Sequence, residues 1–159
     1  MSFFFTTLYL LLLLFTFSNM NTLQSLPGIS HIYIVSCSNL TPHLMLQAIA
    51  NMNVAVYASL QEVPFNGEPT LECANEYDNH GRLEKVTLSF SSPTDIDAAT
   101  PSAFVIEDAN GARFLIGARE MPFPIVKKTK KAGTPTGDPA AFAYEVTLTN
   151  IRALIRCSC

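Results

Sequence analysis

The sequence predicts a mainly β fold, with antiparallel hairpins forming a small sandwich or barrel and one short α-helix near residues 41–52. Three observations carry this. Two tight-turn signals, DNHG at 78–81 and DANG at 108–111, each separate runs in which apolar and polar residues alternate. Only one segment has helical periodicity. A chain of 159 residues, 48% hydrophobic and 14% charged, holds enough apolar material for one core, and two domains would be hard to fit.

Residues 1–19 stand apart from the rest. The first charged side chain is Glu62, and residues 3–17 (FFFTTLYLLLLLFTF) form an apolar run. That run is shorter than the roughly 20 residues that cross a bilayer as a helix. A secretory signal normally has Lys or Arg ahead of its apolar core and a small-x-small cleavage site behind it, and no basic residue precedes this one. An upstream extension, with translation starting at Met20 and a single β-rich domain over 20–159, is the first reading. A signal peptide is the second and a membrane anchor the third.

From residue 29 the chain reads as structure. Residues 29–37 (ISHIYIVSC) are rich in β-branched and aromatic side chains and predict a first strand covered on both faces. A lipid-modification box at IVSC is rejected, because about 20 residues, Pro27, Gly28 and His31 among them, separate it from the apolar run. Thr41 can cap a helix, Pro42 suits its first turn, and Leu44, Met45, Ala48, Ile49 and Met52 form one apolar stripe, with an end at Asn51 or Asn53. Residues 54–63 (VAVYASLQEV) predict a strand, and 64–69 (PFNGEP) a turn.

In the first hairpin Leu71, Cys73 and Tyr77 share one parity, and Val86, Leu88 and Phe90 share the dry face after the turn. The second hairpin pairs 103–107 with 113–120. Asn110 and Gly111 supply positive φ at its turn, and Gly117 marks a bulge or a close backbone approach. MPFP at 121–124 cannot lie within a sheet interior, because proline lacks a ladder donor, so it turns a corner. The polar loop at 132–139 is the segment expected to move most. Phe142, Tyr144, Val146 and Leu148 face one way, and the apolar parity then switches to Ile151, Ala153 and Ile155, which requires a break at Asn150.

The chemistry-bearing residues form no recognisable active site. His31, His43 and His80 have no nucleophile placed beside them by any motif. Glu107, Asp108 and Glu120 flank the second hairpin, where solvated strand ends account for them as well as a cation site does. Residues 133–138 (GTPTGD) lack the Gly-Lys-Ser/Thr ending of a phosphate-binding loop. Cys37, Cys73, Cys157 and Cys159 permit three pairings, and small core residues or thiols are the default. No catalytic, metal or cofactor-binding residue is assigned, and no small-molecule substrate is inferred.

A net charge of -3 gives nucleic acid and anionic membranes no overall attraction. One local basic patch remains. Lys127, Lys128, Lys130 and Lys131 read first as a solvated edge that discourages sheet-to-sheet aggregation, and second, with the neighbouring loop residues Gly133, Gly137 and Asp138, as an interaction surface for an acidic partner in preference to nucleic acid.

The combination of residues 103–111 (AFVIEDANG), 113–126 (RFLIGAREMPFPIV) and 133–149 (GTPTGDPAAFAYEVTLT) resembles a group of small uncharacterised bacterial proteins associated with prophages and mobile elements. The likeness runs from about Leu23 to Cys157 and leaves residues 1–19 outside. It implies a non-enzymatic virion or tail-assembly component, whose partners are copies of itself or other assembly proteins. The competing expectation is a secreted or envelope-associated β-domain that binds a ligand. Location follows the same choice: cytoplasmic or virion-associated for a start at Met20, secreted or envelope-bound if residues 3–17 are a signal or anchor.

Overall fold

Among the described residues ten strands build two sheets whose apolar faces meet. The computed structural model describes residues 28–78, 81–97, 100–133, 137 and 140–158. The strands are β1 (Ile29–Ser36), β2 (Val54–Ala55), β3 (Gln61–Glu62), β4 (Asn66–Asp78), β5 (Gly81–Ser92), β6 (Ser102–Asp108), β7 (Arg113–Ile116), β8 (Ile125–Lys131), β9 (Ala141–Asn150) and β10 (Ile155–Ser158); the one α-helix among the described residues, α1, spans Leu44–Ile49. A six-stranded sheet runs β2-β10-β7-β6-β1-β3, and a four-stranded sheet runs β4-β5-β9-β8. Every pairing is antiparallel except β10 with β2. The arrangement is a sandwich, not a closed barrel.

The core lies in two layers. Between the sheets, Ile32, Phe104, Ile106 and Ile116 of the larger sheet pack with Val86, Leu88, Phe90, Tyr144, Val146 and Leu148 of the smaller. On the far face of the larger sheet, Val35, Val54, Ala103, Val105, Leu115, Ile155 and Cys157 are covered by Cys37, Leu40, Leu44, Ala48 and Val56. Tyr33 packs on that far layer and Ile34 on the layer between the sheets, so β1 is covered on both faces along most of its length, as its composition predicts.

Chain reversals occur where the residues demand them. In the second hairpin Asp108 Oδ1 accepts the N–H groups of Asn110 (2.9 Å) and Ala112 (2.8 Å), and Gly111 alone takes positive φ, at 80°. Asn110 needs none, because the Asp108 carboxylate closes the loop. Strand β7 ends at Ile116 and not at Glu120, since Gly117 (φ 127°) brings its backbone against Ala103. Residues 117–124, with Pro122 and Pro124, then carry the chain from one sheet to the other. The parity switch at Asn150 is a second crossing: β9 ends there, residues 151–154 bend, and β10 joins the larger sheet.

Four expectations are corrected. The helix is six residues long, because His43, not Thr41, is its N-cap, in the left-handed conformation (φ 60°) and without a side-chain cap. At the other end Asn51 (φ 53°) closes it, donating to Ala48 O at 3.1 Å while Met52 N donates to Gln47 O at 2.9 Å. Leu44 and Ala48 are buried, whereas Ile49 and Met52 are exposed.

Residues 54–63 are not one strand: β2 pairs at one edge of the larger sheet and β3 at the other, and the intervening Val56, Ala58 and Leu60 pack across its face. The expected turn at 64–69 is largely strand, with Gly67 (φ 77°) and Pro69 in the irregular start of edge strand β4. Cys73 and Tyr77 are exposed: both lie on the edge strand β4, and Tyr77 sits beyond the last rung that β5 shares with β9, at Glu84↔Asn150. The readings at 1–27, His80, Asp138 and Cys159 lie outside the described residues, as does most of the loop at 132–139.

A Cβ on Gly117 would stand 2.7 Å from Ala103 Cβ and 3.2 Å from Pro124 Cγ. Gly117→Ala therefore combines a backbone conformation hostile to L-residues with overpacking, and is expected to cost about 1–3 kcal/mol. Chemical denaturation of the variant beside Ala103→Gly/Gly117→Ala tests the cause. The double variant, with its clashing methyl removed, should recover part of the loss.

Candidate functional site

The basic run at 127–131 forms most of β8, the outermost strand of the four-stranded sheet. Strand alternation splits its lysines between two faces. Val126 packs into the layer between the sheets, so Lys128 and Lys130 share its parity and point to that side, beyond the core. Lys127, Thr129 and Lys131 point to the open outer face. There they border a shallow groove of about 340 Å³, together with Glu68, Ser89, Ser91 and Glu145.

On the inner side Lys128 forms an ion pair with Asp95 and lies over the Phe142 ring at 4.9 Å; Lys130 is 6.0 Å from the same ring. Tyr144 underpins the pair. Its buried ring stacks on Phe90 at 5.2 Å, its hydroxyl donates to Asp95 Oδ1 at 3.2 Å, and it accepts the Ile96 N–H at 2.8 Å. The Lys128 hydrogen bond holds the Asp95 carboxyl below its usual range, the Asp95 bond raises Lys128, and burial raises Tyr144. These contacts tie residues 93–97, the chain leaving β5, to the sheet edge. Sequence reasoning found the lysines but not Asp95 or the role of Tyr144, since no local pattern joins residues so far apart along the chain.

The remaining expected surface residues are less informative. Gly133 and Gly137 are exposed, Gly137 at φ 140° with open space where a Cβ would stand. A second recess, about 470 Å³, opens where the ends of β1 and β3 meet residues 94–97 and the start of β6, with Ser36, Glu62, Asp95 and Asp97 on its walls.

The titratable residues singled out in the sequence serve separate local contacts. His31 Nδ1 lies 2.8 Å from Glu62 Oε1, the His43 N–H donates to Glu120 at 3.3 Å, Glu107 pairs with Arg113 at 2.7 Å, and Asp108 closes its loop. Among the described residues, no group of three or more His, Cys, Asp or Glu is placed to hold a metal ion. Cys37 is buried, with its thiol pushed up to about 11 by desolvation, Cys157 is also buried, and Cys73 is exposed on β4. Among the described residues, no helix is long and apolar enough to cross a membrane. No family model, curated protein or solved structure matches the chain.

The Asp95–Lys128 contact has a defined pH window. Asp95 is depressed below its ordinary 3.8, so its contribution is present above that value and is lost as pH falls through the lowered one. Comparing thermal midpoints of the wild type and Asp95→Asn across pH should show a small gap that is constant near neutrality and closes at strongly acid pH. A gap that persists there would mean that Asp95 acts through the shape of the crossing and not through its charge.

Proposed function

We propose that this chain is a non-enzymatic assembly component of a phage-type particle, in virion or tail, working through protein-protein contacts. The observation that carries the reading is an arm of β-structure that the domain builds but does not use internally. Strand β5 pairs with β9 only from Glu84 to Ser92, so among the described residues the pairs Glu76↔Leu83, Tyr77↔Arg82 and Asp78↔Gly81 have no third strand beside them. Two strands alone are marginal in water.

The arm is held by its own polar contacts: Arg82 donates from Nε and Nη2 to Asn75 Oδ1 at 3.0 and 2.8 Å, and Lys85 meets Glu76 at 3.5 Å. Tyr77 stands on it with 80% of its surface exposed. An aromatic anchor on a projecting hairpin is a contact element awaiting a surface, since such residues dominate interface energies. The resemblance to a mobile-element group supports the choice of particle.

Sizing by light scattering, with electron microscopy of the same sample, tests this directly. The wild type should associate at high concentration, and Tyr77→Ser should cut the associated fraction severalfold while its thermal midpoint stays near that of the wild type. A strictly monomeric wild type overturns the reading. Tail, portal or capsid genes beside this one would support the class of particle.

A further inference from the structure

The two edges of the four-stranded sheet are complementary to each other, and we infer that copies of this chain join edge to edge, β4 of one against β8 of the next, into one continuous antiparallel sheet. This rests on the assembly reading and specifies its contact.

Strand direction comes first. The pairs β4/β5, β5/β9 and β9/β8 are all antiparallel, so in a sheet of four strands the two edge strands run in opposite directions. A second copy in the same orientation therefore brings its β4 alongside β8 in the antiparallel sense, with outer face continuing outer face.

Charge and spacing select the same arrangement. On the outer face β4 carries Glu72 and Glu76, and β8 carries Lys127 and Lys131, both pairs at i, i+4. Antiparallel pairing matches Glu72 with Lys131 and Glu76 with Lys127 in one register. That register sets all seven residues of β8 against 72–78, with Cys73 opposite Lys130 and the exposed Tyr77 opposite Val126. Glu76 also meets its own Lys85 at 3.5 Å, so the added lysine extends an existing charge pattern.

The alternatives are disfavoured by the same residues. Pairing β8 with β8 opposes lysines, and pairing β4 with β4 opposes glutamates, each destabilising when like charges face directly. Pro69 and the register shift at 66–70 blunt only the start of β4, and the ladder from Thr70 to Asp78 is regular. Because the two contacting edges differ, the contact is heterologous, and it closes into a ring or continues as a filament according to the twist.

Cross-linking reads the register. In a Cys159→Ser background, Lys130→Cys should form disulfide-linked multimers through Cys73 under mild oxidation, because directly opposed antiparallel residues have Cα atoms about 4.5–5.5 Å apart. Adding Cys73→Ser should abolish the ladder. Charge reversal reads the selectivity: Lys127→Glu/Lys131→Glu should raise the concentration for half-association at least tenfold, and further addition of Glu72→Lys/Glu76→Lys should restore it. The substituted side chains of β4 and β8 lie on exposed strand edges, and circular dichroism checks that each variant folds. Oligomers indifferent to the reversals and giving no ladder overturn the edge contact and leave the assembly role standing. A wild type that never associates overturns both.

Discussion

Strand β6 has no wet face, and the organisation of the domain follows from that. Phe104 and Ile106 enter the layer between the sheets, while Ala103 and Val105 face the opposite layer, all of them buried. A strand apolar on both sides must be the middle of three layers. The smaller sheet supplies one cover. The 37–60 segment supplies the other, with a six-residue helix, a 3-10 turn and irregular chain carrying Leu40, Leu44 and Val56 onto the sheet. Gly117 belongs to the same requirement, because the chain leaving β7 must pass against Ala103 without a side chain of its own.

What was legible in the sequence is what local chemistry decides. The DANG turn, the close approach at Gly117, the proline-bounded corner and the parity break at Asn150 each follow from a few neighbouring residues. The break could be located, but that it marks a crossing to the other sheet could not, because nothing near Asn150 encodes the destination. The same limit explains the misread segments. Residues 54–63 have strand composition, yet their hydrogen bonds are divided between opposite edges of the larger sheet. Cys73 and Tyr77 have core parity, yet parity assigns a face and not whether anything covers it.

The candidate surface divides in the same way. The lysine run was visible as a patch and as an edge. Its separation into Lys128 and Lys130 on one side and Lys127 and Lys131 on the other needed the register with β9, fixed by Val126 beside Val146. Asp95 was invisible as a partner because it arrives from the other crossing. The pair it forms with Lys128 is exposed and of modest energetic weight. Its consequence is positional: it commits one lysine to the chain leaving β5 and leaves the outer-face lysines on an edge that no other strand covers among the described residues.

That free edge also explains a feature that would otherwise be a liability. Exposed edge strands invite indiscriminate pairing, and a run of lysines is a common defence. Here the opposite edge of the same sheet carries glutamates at the matching spacing, so the charges that repel identical edges attract unlike ones. Parity of strand number then decides orientation. With three or five strands the outer strands would run parallel to each other, and a copy added in the same orientation would meet its neighbour in a parallel ladder, slightly less stable per residue. Four strands allow the antiparallel ladder to continue across the junction with every copy facing the same way.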